Sequence, residues 1–539
     1  MTEQFRRSFF TCAKVLAAAL FAGVIFASVP ISADFGWPDA GRHAMDGMFY
    51  RDLIADGGYA DPMNYALNYY LHYPAITPVL YPPFFGFCQI PGFCIIGPYP
   101  WVARLTVGLF LIFGAVGIMM LARDLSGPFT GLYAGLLYLS MPIVIFWGRD
   151  VMLEVPAMAI VIWCFYFFDR YLKQGGTGDL ILCLLLATAA PYTKQNTIFI
   201  LGVFALAPLL CNKLSGLTDR RFIAGVVIMG ICGIPLAYVT FKWGALNFEQ
   251  SFGNLKTAMP MYNHFAYYIK KLPQSVGWAV IIFSIAGLLS VRWKKAFRDA
   301  DMKITVSILI SWLLICYLQM SVIKIKEPRH AFFWIPLFAV AGALGLERIT
   351  SVLPKKTIRL LAGLAVICTV FSYHLVDSKM NWSEGFKEPA RYVAGNWEGS
   401  AVLINMYGDA SFIFHIRALD TEKRLRVYRS SKIFESRMIY KEWGVKSYVA
   451  DSKELVSLLS GYGIRFVLLE NPMENKTQVE RLIREVCETD RFEKIREFPV
   501  LYPGRVPKTL TLYRYTARIN DVKNKPTIHL PVIGIDYDE

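Results

Sequence analysis

Five short clusters set a carboxylate or a cation beside proline or aromatic residues at the ends of apolar runs. They are Trp37-Pro38-Asp39-Ala40-Gly41-Arg42-His43; Tyr81-Pro82-Pro83-Phe84-Phe85, followed by Arg104; Gly148-Arg149-Asp150-Val151-Met152-Leu153-Glu154-Val155-Pro156; Pro191-Tyr192-Thr193-Lys194-Gln195-Asn196; and Lys326-Glu327-Pro328-Arg329-His330. A carboxylate such as Asp39 or Glu154 can take a proton from an acceptor hydroxyl or amine. Lysine and arginine can stabilise charge that develops on a departing phosphate. Each residue also has a plainer reading. Asp39 fits a solvated loop acid, Glu154 a partner for a nearby arginine, Lys194 and Arg329 headgroup anchors, and Tyr-Pro-Pro a rigid turn. Their joint occurrence on one predicted face is what gives the pattern weight.

The elements that position these residues must be membrane helices. The chain has 539 residues, 55% hydrophobic and 18% charged, and a mean hydropathy of +0.40. A soluble protein of this length exposes more charge, and a bilayer span needs roughly 20 mostly apolar residues. Runs that meet this need occur at 10–31, 101–121, 129–147, 151–168, 179–192, 196–210, 222–241, 275–291, 304–323, 331–347 and 358–376, about eleven in all. The stretch from Thr11 to Ile31 has the basic flank of a signal peptide, but its apolar run is long and many spans follow. It reads as a retained first helix. The run at 179–192 is short and ends at Pro191, so 179–210 fits a partial hairpin as well as two spans.

The net charge of +15 has a positional explanation. Arg123, Arg170, Lys173, Lys213, Arg220, Arg221, Arg292, Lys294, Lys295, Arg298, Lys303, Arg348, Lys355, Lys356 and Arg359 fall in alternate short loops, as cytoplasmic loops require. No basic domain stands apart for nucleic acid. With the N-terminus in the cytoplasm, an odd number of spans then puts everything after about residue 377 outside. The expected organisation is a transmembrane catalytic domain over 1–376, with a long outer loop at 32–100, and an extracytoplasmic α/β domain over 377–539. In that tail, 401–406, 464–469 and 509–515 read as strands. Asp451 with Glu454 reads as a helix cap, its helix ending near Gly461, and 476–487 reads as an amphipathic helix. The tail holds no catalytic motif, and support or acceptor recognition is its expected role.

Of ten cysteines, Cys164, Cys183, Cys232, Cys316 and Cys368 lie in spans, where cysteine packs as a small hydrophobe. None forms a C-x-x-C motif. Cys88 and Cys94 share the long loop and fit either a disulfide, if that loop faces an oxidising compartment, or two thiols.

The order Asp39-x-x-Arg42 after the first span, Pro82-Pro83, Ala103-Arg104-Leu105, Arg149 to Glu154, Thr193-Lys194 and Pro328-Arg329 resembles the GT-C superfamily of membrane glycosyltransferases. Within it, the nearest likeness is to the branch of protein O-mannosyltransferases and lipid A aminoarabinose transferases (glycosyltransferase family 39-like). The resemblance covers about 10–350 and implies a GT-C-like helical membrane fold. It also implies transfer of a sugar from a polyprenyl-phosphate carrier to a lipid, glycan or protein acceptor at the outer face, with inversion at the anomeric carbon. By this analogy Asp39 is the base, Arg42 a phosphate ligand, and Glu154 stands where the family usually has a second aspartate. Lys194 and Arg329 contact the lipid phosphate, and Tyr81, Arg104, Arg149 and His330 complete the substrate-binding set. Two positions depart from the family. The first acidic pair is Asp39-Ala40 rather than Asp-Glu, and Tyr81 stands where the aminoarabinose branch has lysine. The second change weakens the case for aminoarabinose and removes one candidate phosphate ligand.

The expected protein is thus a multi-pass protein of a bacterial-type inner membrane, using a polyprenyl-phosphate-linked sugar and an acceptor the sequence does not name. It is expected to need no cofactor and no metal, since its own cations serve the phosphate. Two rival readings are a transporter or flippase for a lipid-linked sugar and a non-catalytic protein of envelope-polysaccharide assembly. The first calls for inverted repeats and broken midplane helices, and the sequence has no internal repeat. The second tolerates loss of Asp39.

Overall fold

The computed structural model describes residues 3–244, 261–397, 399–437, 444–472, 477–517, 526–531 and 533–538. The chain divides into two compact units. A helical unit comprises Met1–Val29, Tyr81–Phe84 and Arg104–Lys379, and a mixed unit comprises Pro30–Leu80, Phe85–Ala103 and Met380–Glu539. Most of the segment expected as an outer loop, all but Tyr81–Phe84, thus groups with the stretch that begins at Met380.

Among the described residues, five helices are long and apolar enough to cross a membrane: Pro100–Ser126, Glu154–Gln174, Arg220–Trp243, Ala300–Val322 and Lys356–Asp377. Two bent pairs raise the number to seven, against the eleven runs expected. The run at 129–147 is helix Pro128–Leu139 followed by Pro142–Gly148, bent by 61°. Pro142 opens the second helix and offers no N–H to continue the first. The run at 275–291 is helix Trp278–Ser290, set at 109° to the segment before it. Gly277 sits at the corner with φ +87°, a backbone conformation that suits glycine. Thr177–Thr193 and Gln195–Cys211 are apolar but short. Hydropathy alone counts such pieces as spans because it sees composition and not bends.

The surroundings of each helix differ. Glu154–Gln174 is packed inside the unit, 83% of its apolar window buried, whereas Arg220–Trp243 is 6% buried. The latter exposes Ile223, Val227, Ile228, Ile231 and Ile234. Such an apolar surface is stable against lipid and not against water. Asp219 caps that helix by accepting from Arg221 N, and Asp299 caps Ala300–Val322 by accepting from Met302 N. Helices Trp278–Ser290 and Ile335–Thr350 touch through Gly287 and Gly345. A methyl group on either would strike the other helix's backbone, the small-residue packing that membrane helices favour.

The mixed unit has a five-stranded sheet in the order Arg426–Arg429, Ala401–Asn405, Ile464–Asn471, Lys508–Tyr515, Phe492–Val500. The first three strands pair in parallel and the last two antiparallel. The three expected strands are present, and Arg426–Arg429 and Phe492–Val500 are additions. Asp451 caps helix Ser452–Gly461 through Lys453 N and Glu454 N. Thr477 and Glu480 form the capping box of Gln478–Cys487; Lys476, the expected start of that helix, lies outside the described residues. The long loop is itself built of helices Pro38–Ala55, Pro62–His72 and Phe84–Ile95. Its short strand Asp34–Phe35 pairs antiparallel with Trp382–Ser383. A buried polar network ties it to the tail: Arg417 pairs with Asp52 at 2.6 Å, Tyr69 donates to Asp52 at 2.8 Å, and Tyr73 to Asp420 at 2.6 Å. Cys88 and Cys94 are both unbridged. They lie on one helix six residues apart, roughly 9 Å of rise, beyond the reach of a disulfide.

Candidate functional site

Within the helical unit, three of the expected residues meet. Glu154 opens helix Glu154–Gln174 and is fully buried. Its Oε1 lies 2.5 Å from Lys194 Nζ and 3.7 Å from Arg329 Nε. Lys194 is the first residue beyond helix Thr177–Thr193, and Arg329 sits in the 3-10 turn Pro328–Phe333, where it also pairs with Glu327. The other oxygen of Glu154 is buried without a hydrogen-bond partner among the described residues. Two cations therefore converge on one carboxylate, which fixes both. Next to Arg329, His330 Nδ1 is 3.3 Å from the Tyr268 hydroxyl. Lys326 Nζ lies 5.2 Å from the centre of the Tyr268 ring. That lysine donates to the carbonyls of Met320 and Ser321 at 2.8 and 2.7 Å, satisfying acceptors left over at the end of helix Ala300–Val322.

Arg149 has a different employment from the expected substrate contact. Its Nε donates to Ser28 Oγ at 2.9 Å, its Nη1 to the carbonyls of Ser378 and Lys379 at 3.1 and 3.3 Å, and its Nη2 to Leu375 O at 2.8 Å. All three nitrogens are engaged with the ends of the first and last helices of the unit, so the geometry makes Arg149 a clamp. Tyr81 is half-buried and Arg104 fully buried, both in the same unit.

Asp39 and Arg42 belong to the mixed unit. Asp39 is half-buried in the first turn of helix Pro38–Ala55, where a carboxylate is favoured by the helix dipole, and Pro38 pre-sets the start. Arg42, one turn on, donates from Nη1 to Pro38 O at 2.7 Å and from Nη2 to both oxygens of Asp409 at 3.3 Å. Arg429 Nη2 adds a contact to Asp409 Oδ2 at 2.6 Å. The two-oxygen partner expected to be a phosphate is thus an aspartate of the tail. Further along the helix, buried Asp46 accepts from Thr77 N at 2.6 Å and Thr77 Oγ1 at 2.8 Å. Burial pushes its carboxyl up to about 7, against the Thr77 bonds and Arg42, which favour the charged form.

Asp409, Arg429, Asp46 and Tyr268 were not singled out from the sequence. Asp409 follows Gly408 at a helix start, an ordinary acid-at-N-terminus pattern, and its partner Arg42 is 367 residues away. Among the described residues, no three His, Cys, Asp or Glu side chains form a group that could hold a metal.

Residues 81–238 match the family model described as dolichyl-phosphate-mannose-protein mannosyltransferase. ArnT from Cupriavidus metallidurans, solved with undecaprenyl phosphate, superposes with a TM-score of 0.59 at 14% identity, over 96% of this chain and 99% of that one. The chain has the GT-C fold. The Archaeoglobus fulgidus oligosaccharyltransferase shares it, with a TM-score of 0.52 and 11% identity over 86% of this chain and 70% of that chain. So does mycobacterial arabinofuranosyltransferase AftD, at 0.52 and 14% over 98% of this chain and 42% of that much longer one. No curated protein matches in sequence. The chain is an integral membrane protein, and its likeness to ArnT runs through the tail as well as the helices.

Proposed function

We propose that this protein is a glycosyltransferase that moves a sugar from a polyprenyl-phosphate carrier to an acceptor at the extracytoplasmic face of the membrane. The observation that carries it is the buried Glu154 clamped by Lys194 and Arg329 inside the helical unit of a GT-C fold. Lys194 and Arg329 bring the donors of two cations to one point, where Glu154 and Glu327 match their charge until a phosphate competes for them. Support also comes from the ArnT structure, which binds undecaprenyl phosphate, and from the mannosyltransferase family model. The outer face follows from the basic residues of alternate loops.

In this reading an acceptor hydroxyl oxygen attacks the anomeric carbon. The carbon–oxygen bond to phosphate breaks, the phosphate leaves with the electron pair, and the acceptor proton passes to Asp39. Inversion follows from the single displacement. Lys194 and Arg329 hold the phosphate and stabilise its developing charge. Glu154 positions those two cations, which is a narrower role than a second catalytic acid. Arg42, the phosphate ligand that the resemblance implies, is held by Asp409. Tyr81, Arg104 and His330 complete the substrate-binding set, and Arg149 supports it from the helix ends. The chain's own cations leave no step that calls for a metal. The domains are then a transmembrane catalytic part and an extracytoplasmic part that includes the long loop.

The test uses the purified full chain with synthetic undecaprenyl-phosphate-linked sugars. Release of undecaprenyl phosphate is followed by mass spectrometry, with Asp39→Asn as the comparison. Donor turnover by wild type and none by the variant is expected. Lack of turnover with every sugar tried, with the chain instead carrying lipid-linked sugar across vesicles, would favour a flippase.

A further inference from the structure

Tyr268 enters the helical unit's site from an element that none of the five sequence clusters contains. The segment Asn263–Val276 stands at 109° to helix Trp278–Ser290. Gly277 makes that corner, where a methyl group would strike the His374 ring. Tyr268 is 1% exposed. Its ring stands edge-to-face with Trp334 at 5.0 Å, and Trp334 does so with Tyr317 at 5.4 Å. Tyr317 in turn donates to Phe265 O, three residues before Tyr268. The phenol is thus held from several sides, and its hydroxyl lies 3.3 Å from His330 Nδ1.

The direction of that bond fixes the imidazole. A phenol proton needs an acceptor, and Nδ1 is the one it has among the described residues. If Nδ1 carried a hydrogen and donated instead, the phenol proton would go unmatched in a buried place. Nδ1 is therefore the acceptor, and in a neutral ring the hydrogen then sits on Nε2. The ring is neutral because of its neighbours. Around it stand Arg329 and Glu327 of its own turn, Lys326 just before it, Lys194 after helix Thr177–Thr193, and Glu154 at the head of Glu154–Gln174. Tyr268 faces it from the segment across the corner. Burial, then Lys194 and Arg329, hold the imidazole down to about 3. Lys194 and Arg329 already share Glu154 and Glu327, so a charged His330 would lack a counter-charge.

We propose that Tyr268 is a positioning residue that holds His330 in its Nε2–H tautomer, so that the turn beside Lys194 and Arg329 offers the donor's phosphate a neutral N–H as well as two cations. The proposal rests on the transferase reading and deepens it. A neutral donor adds no buried charge and does not vary across the working pH range. Without the tyrosine hydroxyl the ring divides between two tautomers, one of which turns a lone pair on Nε2 toward a ligand that is itself an acceptor.

The full chain with isotope-labelled histidine, in liposomes, allows solid-state NMR to separate the two neutral tautomers and the imidazolium by chemical shift. His330→Gln identifies the signal of His330 among the seven histidines. Wild type is expected to show the Nε2–H form at about pH 6 and at about pH 8 alike. Tyr268→Phe, which keeps the ring, is expected to add the other tautomer and to weaken binding of undecaprenyl phosphate about tenfold. Glutamine supplies an N–H that needs no tautomer partner, so adding Tyr268→Phe to His330→Gln should cost nothing further. An equal loss from Tyr268→Phe in both backgrounds makes the tyrosine a packing residue and overturns the proposal. An Nδ1–H or charged His330 in wild type overturns it too, even where sugar transfer is observed. Absence of undecaprenyl phosphate binding by wild type overturns the transferase reading and the proposal with it.

Discussion

Arg42 and Asp409 meet inside the mixed unit, with Nη2 of the arginine 3.3 Å from both oxygens of the aspartate. One residue comes from the helix after the first apolar segment and the other from the tail, 367 positions later. The pair joins the segment that holds Asp39 to the tail. With Arg429 on the same carboxylate, removing Asp409 leaves two cations facing one another.

The coupling between Arg42 and Asp409 can be measured by a double-mutant cycle. Arg42→Ala and Asp409→Ala are each expected to destabilise the full chain. Their combination should cost less than the sum by about 1–3 kcal/mol, as for hydrogen-bonded charges in contact. Unfolding of the four proteins in one detergent provides the numbers. Strict additivity would mean the pair does no joint work.

The proposed role of Asp39 as base has a kinetic signature. Asp39→Asn keeps the shape but removes the base, and the loss of a general base typically lowers rate by about 10²–10⁴. Donor affinity should stay near wild type, whereas Arg42→Ala should weaken donor binding as well. A half-active Asp39→Asn enzyme would remove Asp39 from the chemistry.

The Glu154–Lys194 pair should be worse broken than absent. Glu154→Ala leaves Lys194 and Arg329 without their shared counter-charge, and removal of one member of a buried pair costs about 3–5 kcal/mol. Replacing both residues together, as Glu154→Gln with Lys194→Met, should restore part of that stability while donor binding stays lost. Equal melting temperatures for the single and double variants would show that the pair is not coupled.

Asp46 ties stability to pH. Its folded-state value is raised to about 7 by burial, above the ordinary unfolded value of about 3.9. Between these values the folded chain keeps a proton that the unfolded chain has lost. The group's contribution therefore falls as pH rises from about 4 to about 7, by roughly 1.4 kcal/mol per pH unit at the steepest. Asp46→Asn should flatten this slope and be the more stable protein at pH 8. Thermal midpoints at pH 5, 6, 7 and 8 read it directly, and parallel curves for the two proteins would contradict the assignment.

The orientation of the tail follows from charge in the loops. A reporter enzyme fused at about residue 400 should be active only when it is of the exported kind. Activity of a cytoplasmic reporter there would put the tail, and with it Asp39, on the opposite side.

Much was determined by the sequence alone, because the relevant forces are local or compositional. Apolar runs identified a membrane protein built of helices, though not the number of spans, and Asp451 and the β-rich runs at 401, 464 and 509 marked real elements. The clusters around Glu154, Lys194 and Arg329 were visible because charge at the end of an apolar run is costly unless it has a task. Tertiary structure decided the rest. Composition cannot show that the run at 129–147 bends at Pro142, since hydropathy has no direction. It cannot separate Arg149, whose donors are taken by backbone carbonyls, from Lys194, whose charge meets a carboxylate. Nor could it join Arg42 to Asp409, because a contact between residues hundreds of positions apart exists only once the chain has folded and leaves no mark in the spacing of either.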